Sequence, residues 1–342
     1  MPPLRRRLLV TLACALLLGT APPGSRTVQS RSFAAQVAAL SEPPGYFDTD
    51  NLISNEKSYL QVLPGLRQAN VRGGAYIGVG PDQNFSYIAD IRPAIAFIVD
   101  IRRDNLLLHL LFKALFEQAG TRVDYLALLF GRRAPPAGGD WRTAAIDRLA
   151  AYVDAAPVDT SLAPRARTRA VIERFGIPLS AHDLSTIDRF HQTFIERGLD
   201  LRFETTGRPP QHFYPTYRDL LLATDALGQR ANFLASEDAF QFVKSLEGRN
   251  LVIPVVGDLS GSKALSAIGR LLDARGDKLS AFYTSNVEFY LERAGTMERF
   301  VDNLARIPHT SRTVVVRSIF GRFNSGSTSV AERVDDVLAR SR

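Results

Sequence analysis

The sequence predicts an α/β protein with a doubly wound, mainly parallel sheet and a large helical insertion. Three observations carry this. Short apolar runs recur at 75–79, 95–99, 251–256, 279–284 and 313–319. Segments with helical periodicity and end signals alternate with them. The alternation lapses between residues 121 and 231, where helical patterns continue and no pair of strong strand runs occurs.

The chain opens with Arg5-Arg6-Arg7, then eleven residues, 8–18, whose only polar member is Thr11, then Gly19-Thr20-Ala21. A basic stretch, a short apolar stretch and a small-residue site make a secretory signal. An apolar stretch of eleven residues, interrupted by Thr11, is too short to span a bilayer, so no transmembrane segment is expected. Residues 1–35 are read as signal peptide and linker, with the mature chain beginning between 22 and 36. Pro22 is a poor first residue, which directs attention to Ala34 or Ala35. Arg5-Arg6 also has a twin-arginine look, with Leu4 where Ser or Thr is usual. The expected location is outside the cytoplasm, periplasmic or secreted. A start codon misplaced upstream of a cytosolic protein is the alternative.

Of the 42 lysines and arginines, five lie in 1–35, which holds no acid; the remaining 37 face 35 acids, a net of +2. That balance gives no support for a nucleic-acid partner. The only cysteine is Cys14, inside the leader. A mature chain without cysteine has no disulfide, thiol nucleophile or thiolate metal site. The five histidines, at 109, 182, 191, 212 and 309, have no metal-ligand spacing, so no metal is expected.

Residues 36–342 read as one domain. In the entry segment, Asp48, Asp50, Asn51 and Asn55 either line a site or cap turns. The first strand ends in Gly78-Val79-Gly80, and the second ends in Asp100. A turn with little side-chain bulk lets backbone N–H groups approach a ligand, and a carboxylate at the next strand tip can accept ribose hydroxyls. Gln83 stands where a dinucleotide fingerprint wants a third glycine. Pro81 removes an N–H donor and Asp82 adds a negative charge, which together oppose a pyrophosphate. A small-molecule ligand with a nucleoside and without phosphate fits better.

Residues 104–118 form a strong helix whose apolar face includes Leu106, Leu107, Leu110 and Leu111, stopped near Gly120. His109 and Lys113, one turn apart on it, suit a surface or packing role. The insertion, 121–231, holds helical patterns at 141–156, 164–175 and 183–197. It ends in a proline-rich loop with His212, Phe213, Tyr214 and Tyr217, either a lid or plain packing. Ser236 caps a helix that reaches Leu246 and Gly248. A helix at 262–275 closes at Gly276, and helical segments follow at 287–291 and 297–307. The chain ends in a short helix at 332–340.

These residues resemble the class I S-adenosylmethionine-dependent methyltransferases over roughly 70–118 and 232–320. Gly78-x-Gly80-Pro81 matches their glycine turn, Asp100 their ribose acid, and Asp258-Leu259 the end of their third strand. Residues 279–291 look like their fourth strand and its helix. The resemblance implies a Rossmann-like, methyltransferase-like fold with S-adenosylmethionine as cofactor. It implies binding through Gly78, Gly80, Asp82, Asp100, Asp258, Leu259, Ser285 and Asn286. Tyr76 departs from the acid usual two residues before the first glycine, and no Asn-Pro-Pro-Tyr signature follows the fourth strand.

Methyl transfer depends mainly on orientation. An added base, if any, is sought among Asp82, Tyr283, Ser285, Asn286 and Glu288, none with a diagnostic spacing. No Gly-x-Ser-x-Gly elbow occurs, Gly257-Asp-Leu-Ser-Gly261 being only superficially similar, and there is no phosphate-binding loop. The whole chain, from Tyr46 through the Ser285-Asn286 segment, also resembles uncharacterised bacterial proteins, some exported. Two functions stand side by side: a methyltransferase-like binder of a nucleoside-type ligand, or an exported non-catalytic binding or surface protein on a degenerate methyltransferase fold.

Overall fold

The computed structural model describes residues 32–47, 49, 52–161, 163–205, 211–321 and 326–340. The leader up to Arg31, and Asp48, Asp50 and Asn51, lie outside the described residues.

The chain enters through α1 (Phe33–Leu40) and α2 (Leu63–Gln68) and then forms β1 (Ala75–Gly78), α3 (Gln83–Ile91) and β2 (Ile95–Asp100). Next come α4 (Arg103–Gln118), α5 (Arg122–Leu129), α6 (Ile146–Ala155), α7 (Ala163–Arg174), α8 (Ala181–Arg197), α9 (Tyr217–Leu221) and α10 (Glu237–Gly248). The second half holds β3 (Val252–Val256), α11 (Ala264–Arg275), β4 (Leu279–Ser285), α12 (Val287–Arg293) and α13 (Met297–Ala305). It closes with β5 (His309–Phe320), β6 (Ser327–Arg333) and α14 (Val334–Arg340).

The result is an α/β protein with one six-stranded, mostly parallel sheet of order β3-β2-β1-β4-β5-β6, consistent with a Rossmann-like fold. β1 to β5 run parallel, and β6 pairs antiparallel with β5. Every residue of β1 and β3 is buried, as are five of the six in β2. Continuous apolar runs such as Ile95-Ala-Phe-Ile-Val99 are what a sheet covered on both faces requires. Pro254 sits in β3, which pairs only with β2; an edge strand tolerates the missing N–H.

Among the described residues no strand of the sheet lies between β2 and β3. That stretch is helical, crossed only by isolated bridges such as Arg132 with Val158 and Arg202 with Thr216. α4 is its spine: Asn105 through Phe116 are all buried, and the helix packs on β3, α7, α8 and α10. His109 and Lys113 are therefore packed inside rather than on the surface. Lys113 lies 4.7 Å from the Phe33 ring centroid and 3.5 Å from the buried Glu247 carboxylate. Ser236 caps α10 as its sequence suggests, its hydroxyl accepting from the Ala239 N–H at 3.2 Å. Gly276, with φ of +72°, closes α11.

Two parts of the sequence reading differ from this architecture. Ser327–Arg333 is a strand, where only a helix from 332 was expected. Its apolar residues are just Val330 and Ala331, and its pairing to β5 supplies the order that its side chains do not. Residues 33–35, the end of the segment read as signal peptide and linker, lie within α1. Ser32 caps α1, whose Phe33, Val37 and Leu40 are buried against the domain. Processing at Ala34 or Ala35 would cut this helix and discard Phe33.

Phe33 meets Phe175 edge-on at 6.0 Å as well as the Lys113 ammonium. Phe33→Ala is expected to lower unfolding stability by roughly 3 kcal/mol, from lost burial and the cavity left behind. Denaturant melts of residues 32–342 check it; an unchanged midpoint would place α1 outside the cooperative fold.

Candidate functional site

Chain order reverses at β1, with β2 on one side and β4 on the other. In open α/β sheets the crevice at such a switch, beyond the carboxyl ends of the strands, is where ligands bind. A cavity of about 960 Å³ occupies that place. Its wall takes Val79, Asp100, Gly257, Ser285 and Arg317 from the ends of all five parallel strands.

The turn after β1 is held from beneath. The Asn84 amide donates to the carbonyls of Val79 (2.9 Å), Gly80 (3.3 Å) and Pro81 (2.7 Å), and its oxygen accepts from the Tyr76 hydroxyl at 2.8 Å. Gly78 serves this network. A Cβ there would lie 1.9 Å from Asn84 Oδ1 and 2.6 Å from Tyr76 Oη, and Gly78 is not on the cavity wall. Gly80, with φ of +83°, is on the wall. His109 Nε2 donates to the Gly80 carbonyl at 2.9 Å, which fixes the tautomer and leaves buried Nδ1 without a partner among the described residues. Burial, opposed by that hydrogen bond and by Asp100, pushes the His109 pKa down to about 4.

Asp82 does not reach the cavity. It is buried and accepts from the Tyr217 hydroxyl at 2.9 Å, tying the glycine turn to α9, and burial pushes its pKa up to about 6. Gln83 takes its place on the wall. It donates to Val79 O and Tyr283 Oη, both at 3.4 Å, while its own Oε1 is buried without a partner.

Asp100 stands at the tip of β2, already engaged. Its Oδ1 accepts from the Arg102 N–H (2.9 Å) and Nε (3.1 Å), and its Oδ2 accepts from Arg102 Nη2 (3.0 Å). Arg102 also donates to Thr49 O at 2.6 Å. At the tip of β3, Asp258 Oδ1 accepts from the N–H (2.8 Å) and hydroxyl (2.9 Å) of Ser260. Among the described residues no hydrogen bond engages Asp258 Oδ2. Leu259 and Asn286 complete the expected residues on the wall.

Behind this wall lies a group that sequence reasoning missed. Glu56 is fully buried. Its Oε2 accepts from Tyr283 Oη at 2.6 Å and from the Ser318 hydroxyl, and its Oε1 accepts from the Ser285 hydroxyl. Burial raises the Glu56 pKa, and the three hydroxyls work against the rise. Ser285 and Ser318 face the cavity, so Glu56 sits one hydroxyl away from it. Ser285 has φ of +55°, a left-handed conformation uncommon for a residue with a side chain. Glu288 and Arg317 also line the wall, joined at 2.7 Å. The signal for Glu56 was thin: one acid within the Leu52–Leu60 run, beside the Asn55 that drew attention.

The mouth of the cavity carries a cluster of apolar side chains beside the exposed Glu292 and Arg293. Tyr46, Phe289, Ile319 and Tyr290 line it while 82%, 52%, 56% and 38% exposed. Phe47 meets Tyr290 edge-on at 4.8 Å. From the helical stretch come Phe203, Phe213 and Tyr214, in ring contact at 4.7 Å and 4.4 Å.

Residues 51–134 and 200–337 match the family model described as a domain of unknown function (DUF7790). The chain belongs to this family. No curated protein matches it. The unmatched 135–199 hold α6, α7 and α8. Apart from Tyr46, Phe47 and Thr49, the whole described wall of the cavity lies inside the matched DUF7790 segments. The fold brings together Gly80, Asp100, Asp258, Leu259, Ser285 and Asn286, and sets Gly78 and Asp82 to other tasks. Among the described residues no group of three or more His, Cys, Asp or Glu side chains could hold a metal ion, and no helix is long and apolar enough to cross a membrane.

Two predictions follow from the turn. Gly78→Ala forces Asn84 out of its network and is expected to cost more than 2 kcal/mol of stability, read by thermal melting. A variant as stable as wild type would mean that the turn has slack that the packing does not suggest. His109, with its pKa lowered from 6.5 to about 4, adds stability above pH 6.5 that is lost as pH falls toward 4. Asp82, raised to about 6, works in the opposite sense, so the test is a difference. Between pH 6.5 and 4, wild type should lose roughly 3 kcal/mol relative to His109→Gln. Parallel pH profiles for the two proteins would contradict a buried neutral imidazole.

Proposed function

We propose that this DUF7790 protein binds a nucleoside-type ligand, S-adenosylmethionine, in the cavity at the β1–β4 switch, as a methyltransferase-like protein. The carrying observation is the strand order 3-2-1-4-5-6, last strand antiparallel, with Gly80, Asp100 and Asp258 brought to one wall at the carboxyl ends. The helix packing supports a doubly wound sheet: α10 packs on α3 and α4, while α13 packs on α11 and α14.

The residues present fit an adenosyl group with one change of emphasis. Pro81 lies on the wall without an N–H, which suits a ligand lacking phosphate. Asp258 Oδ2 is open to an amino group. Asp100, with Arg102 on both oxygens, keeps acceptor capacity on Oδ2 for one ribose hydroxyl. The cofactor would supply an electrophilic methyl group; the chain supplies binding, orientation and a cleft. A volume of about 960 Å³ accommodates a cofactor and a small acceptor together. The proposal includes export, to the periplasm or medium, from the leader in 1–35. The Asp100–Arg102 pair favours a second reading. A carboxylate with its charge already met suits a non-catalytic binding protein on this fold.

Titration calorimetry with S-adenosylmethionine and S-adenosylhomocysteine tests both. Micromolar binding is expected, with Asp100→Ala and Asp258→Asn each weakening it about ten-fold or more, the worth of a charge-assisted hydrogen bond. No heat at millimolar ligand would remove the nucleoside class and leave the non-catalytic reading. Binding indifferent to both variants would put the ligand elsewhere.

A further inference from the structure

The cavity has two chemically distinct ends. Among the described residues six large hydrophobic side chains are exposed, and four of them, Tyr46, Phe289, Tyr290 and Ile319, rim this one opening. Scattered exposed apolar residues need no explanation; a cluster around a cavity marks a binding surface. The other end is the Ser285–Ser318 wall with Glu56 behind it. Glu56 has no cationic partner among the described residues, only hydroxyls. A buried carboxyl in a purely structural role is usually paired with a cation. In its ionised form, a carboxyl solvated by hydroxyls instead accepts from all of them and so gives each a fixed direction. Ser285 donates inward to Glu56, a far closer acceptor than Asn286 Oδ1 at 3.3 Å, and therefore presents its oxygen lone pairs to whatever lies in the cavity. Its left-handed backbone holds it at the strand tip, against its intrinsic preference.

We propose that the cavity binds a flat, apolar molecule carrying one hydroxyl, a phenol in chemical class, with its ring among the mouth aromatics and its O–H donated to Ser285 in the chain ending at Glu56. Resting on the function proposed above, this molecule is the methyl acceptor: the O–CH3 bond would form as the S–CH3 bond breaks, S-adenosylhomocysteine would leave, and the hydroxyl proton would pass to Ser285 as the Ser285 proton passes to the Glu56 carboxylate. The rings give area and stacking without specificity for a particular substituent. The Ser285–Glu56 chain selects a donor. A ligand ether in the same place would set two oxygens against each other across Ser285, because the Ser285 proton is committed to Glu56. Discrimination between a hydroxyl and its methyl ether is thus built into the wall, and it also disfavours retention of a methylated product.

The test is calorimetric titration of residues 32–342 with 2-naphthol and with 2-methoxynaphthalene. Wild type is expected to prefer 2-naphthol about ten-fold, the worth of one such hydrogen bond. Ser285→Ala should erase the preference, weakening 2-naphthol and removing the oxygen–oxygen repulsion that opposes 2-methoxynaphthalene. Glu56→Gln, where it folds, should erase it too, and Ser285→Ala keeps the question answerable where it does not. Tyr290→Ala should weaken both ligands alike. Failure to saturate with 2-naphthol, equal affinities in wild type, or a preference that survives Ser285→Ala would each overturn the proposal. Parallel titration with S-adenosylmethionine separates the two readings. Naphthol preference without S-adenosylmethionine binding keeps this site and removes the cofactor. S-adenosylmethionine binding without naphthol preference keeps the cofactor and removes this acceptor class.

Discussion

The turn that ends β1 carries three inward carbonyls, those of Val79, Gly80 and Pro81, and a buried acceptor left without a donor costs about 1–3 kcal/mol. Asn84 serves all three from one amide, and His109 gives Gly80 a second donor. Much of the local sequence is a consequence. Gly78 is glycine because Asn84 and Tyr76 occupy the space of its side chain. Tyr76 is tyrosine because a hydroxyl at that depth fixes the Asn84 amide by donating to its oxygen. His109 remains neutral because a protonated ring would bury a charge and a second N–H with nothing to receive it. β1 is flanked by β2 and β4, so a turn locked in one conformation sets the position from which the cavity opens.

The same network explains what was legible in the sequence and what was not. The strands of the parallel sheet announce themselves because a strand covered on both faces must be apolar throughout, as in Ile95–Asp100 and Val252–Val256. β6 has no such obligation: most of its residues are only partly covered, and it borrows its order from β5. The glycine turn was visible, but its purpose divides between two glycines. Gly80 meets the cavity, whereas Gly78 meets a buried asparagine, and spacing alone cannot tell a glycine needed by a ligand from one needed by a neighbour. Asp100 was found from its place at a strand tip. The Arg102 guanidinium that closes on it was not singled out, since residues two apart on a leaving loop have no fixed geometry until the chain folds. Glu56 lies more than 200 residues from Tyr283, Ser285 and Ser318, so only the tertiary fold assembles that cluster.

The charged groups at the cavity are solved in three different ways. Asp100 is met by Arg102 and Glu288 by Arg317, pairs in which each ion offsets the other's desolvation. Glu56 is met by neutral hydroxyls, so its ionised form is the more costly one. Its raised pKa means a contribution to stability that is present at low pH and fades as pH rises through the folded value. Asp258 alone of these acids keeps an oxygen open, at the end of β3. A ligand bearing a donor therefore has three unequal places to use: an open carboxylate at β3, a partly engaged one at β2, and a hydroxyl backed by a carboxyl at β4.

The helical stretch between β2 and β3 is fixed to this site by buried polar ties, not merely laid over it. Tyr217 donates to Asp82, Tyr59 donates to the Leu220 carbonyl at 2.9 Å, and Asn232 donates to Tyr59 at 2.9 Å. Arg122, almost wholly buried, donates to the carbonyls of Leu234 (2.8 Å) and Ala235 (2.9 Å) and of Arg142 (3.2 Å), joining the two ends of the stretch. Breaking any of these leaves a buried polar group unpaired, so the ties act together to hold Phe203, Phe213 and Tyr214 at the mouth. The segment outside the family match behaves differently. α7 and α8 pack on α4, and no described residue between 135 and 199 reaches the cavity wall. These helices thicken the core behind α4, whereas the stretch at 200–231, which the family model includes, brings Phe203, Thr205, Phe213 and Tyr214 to the wall.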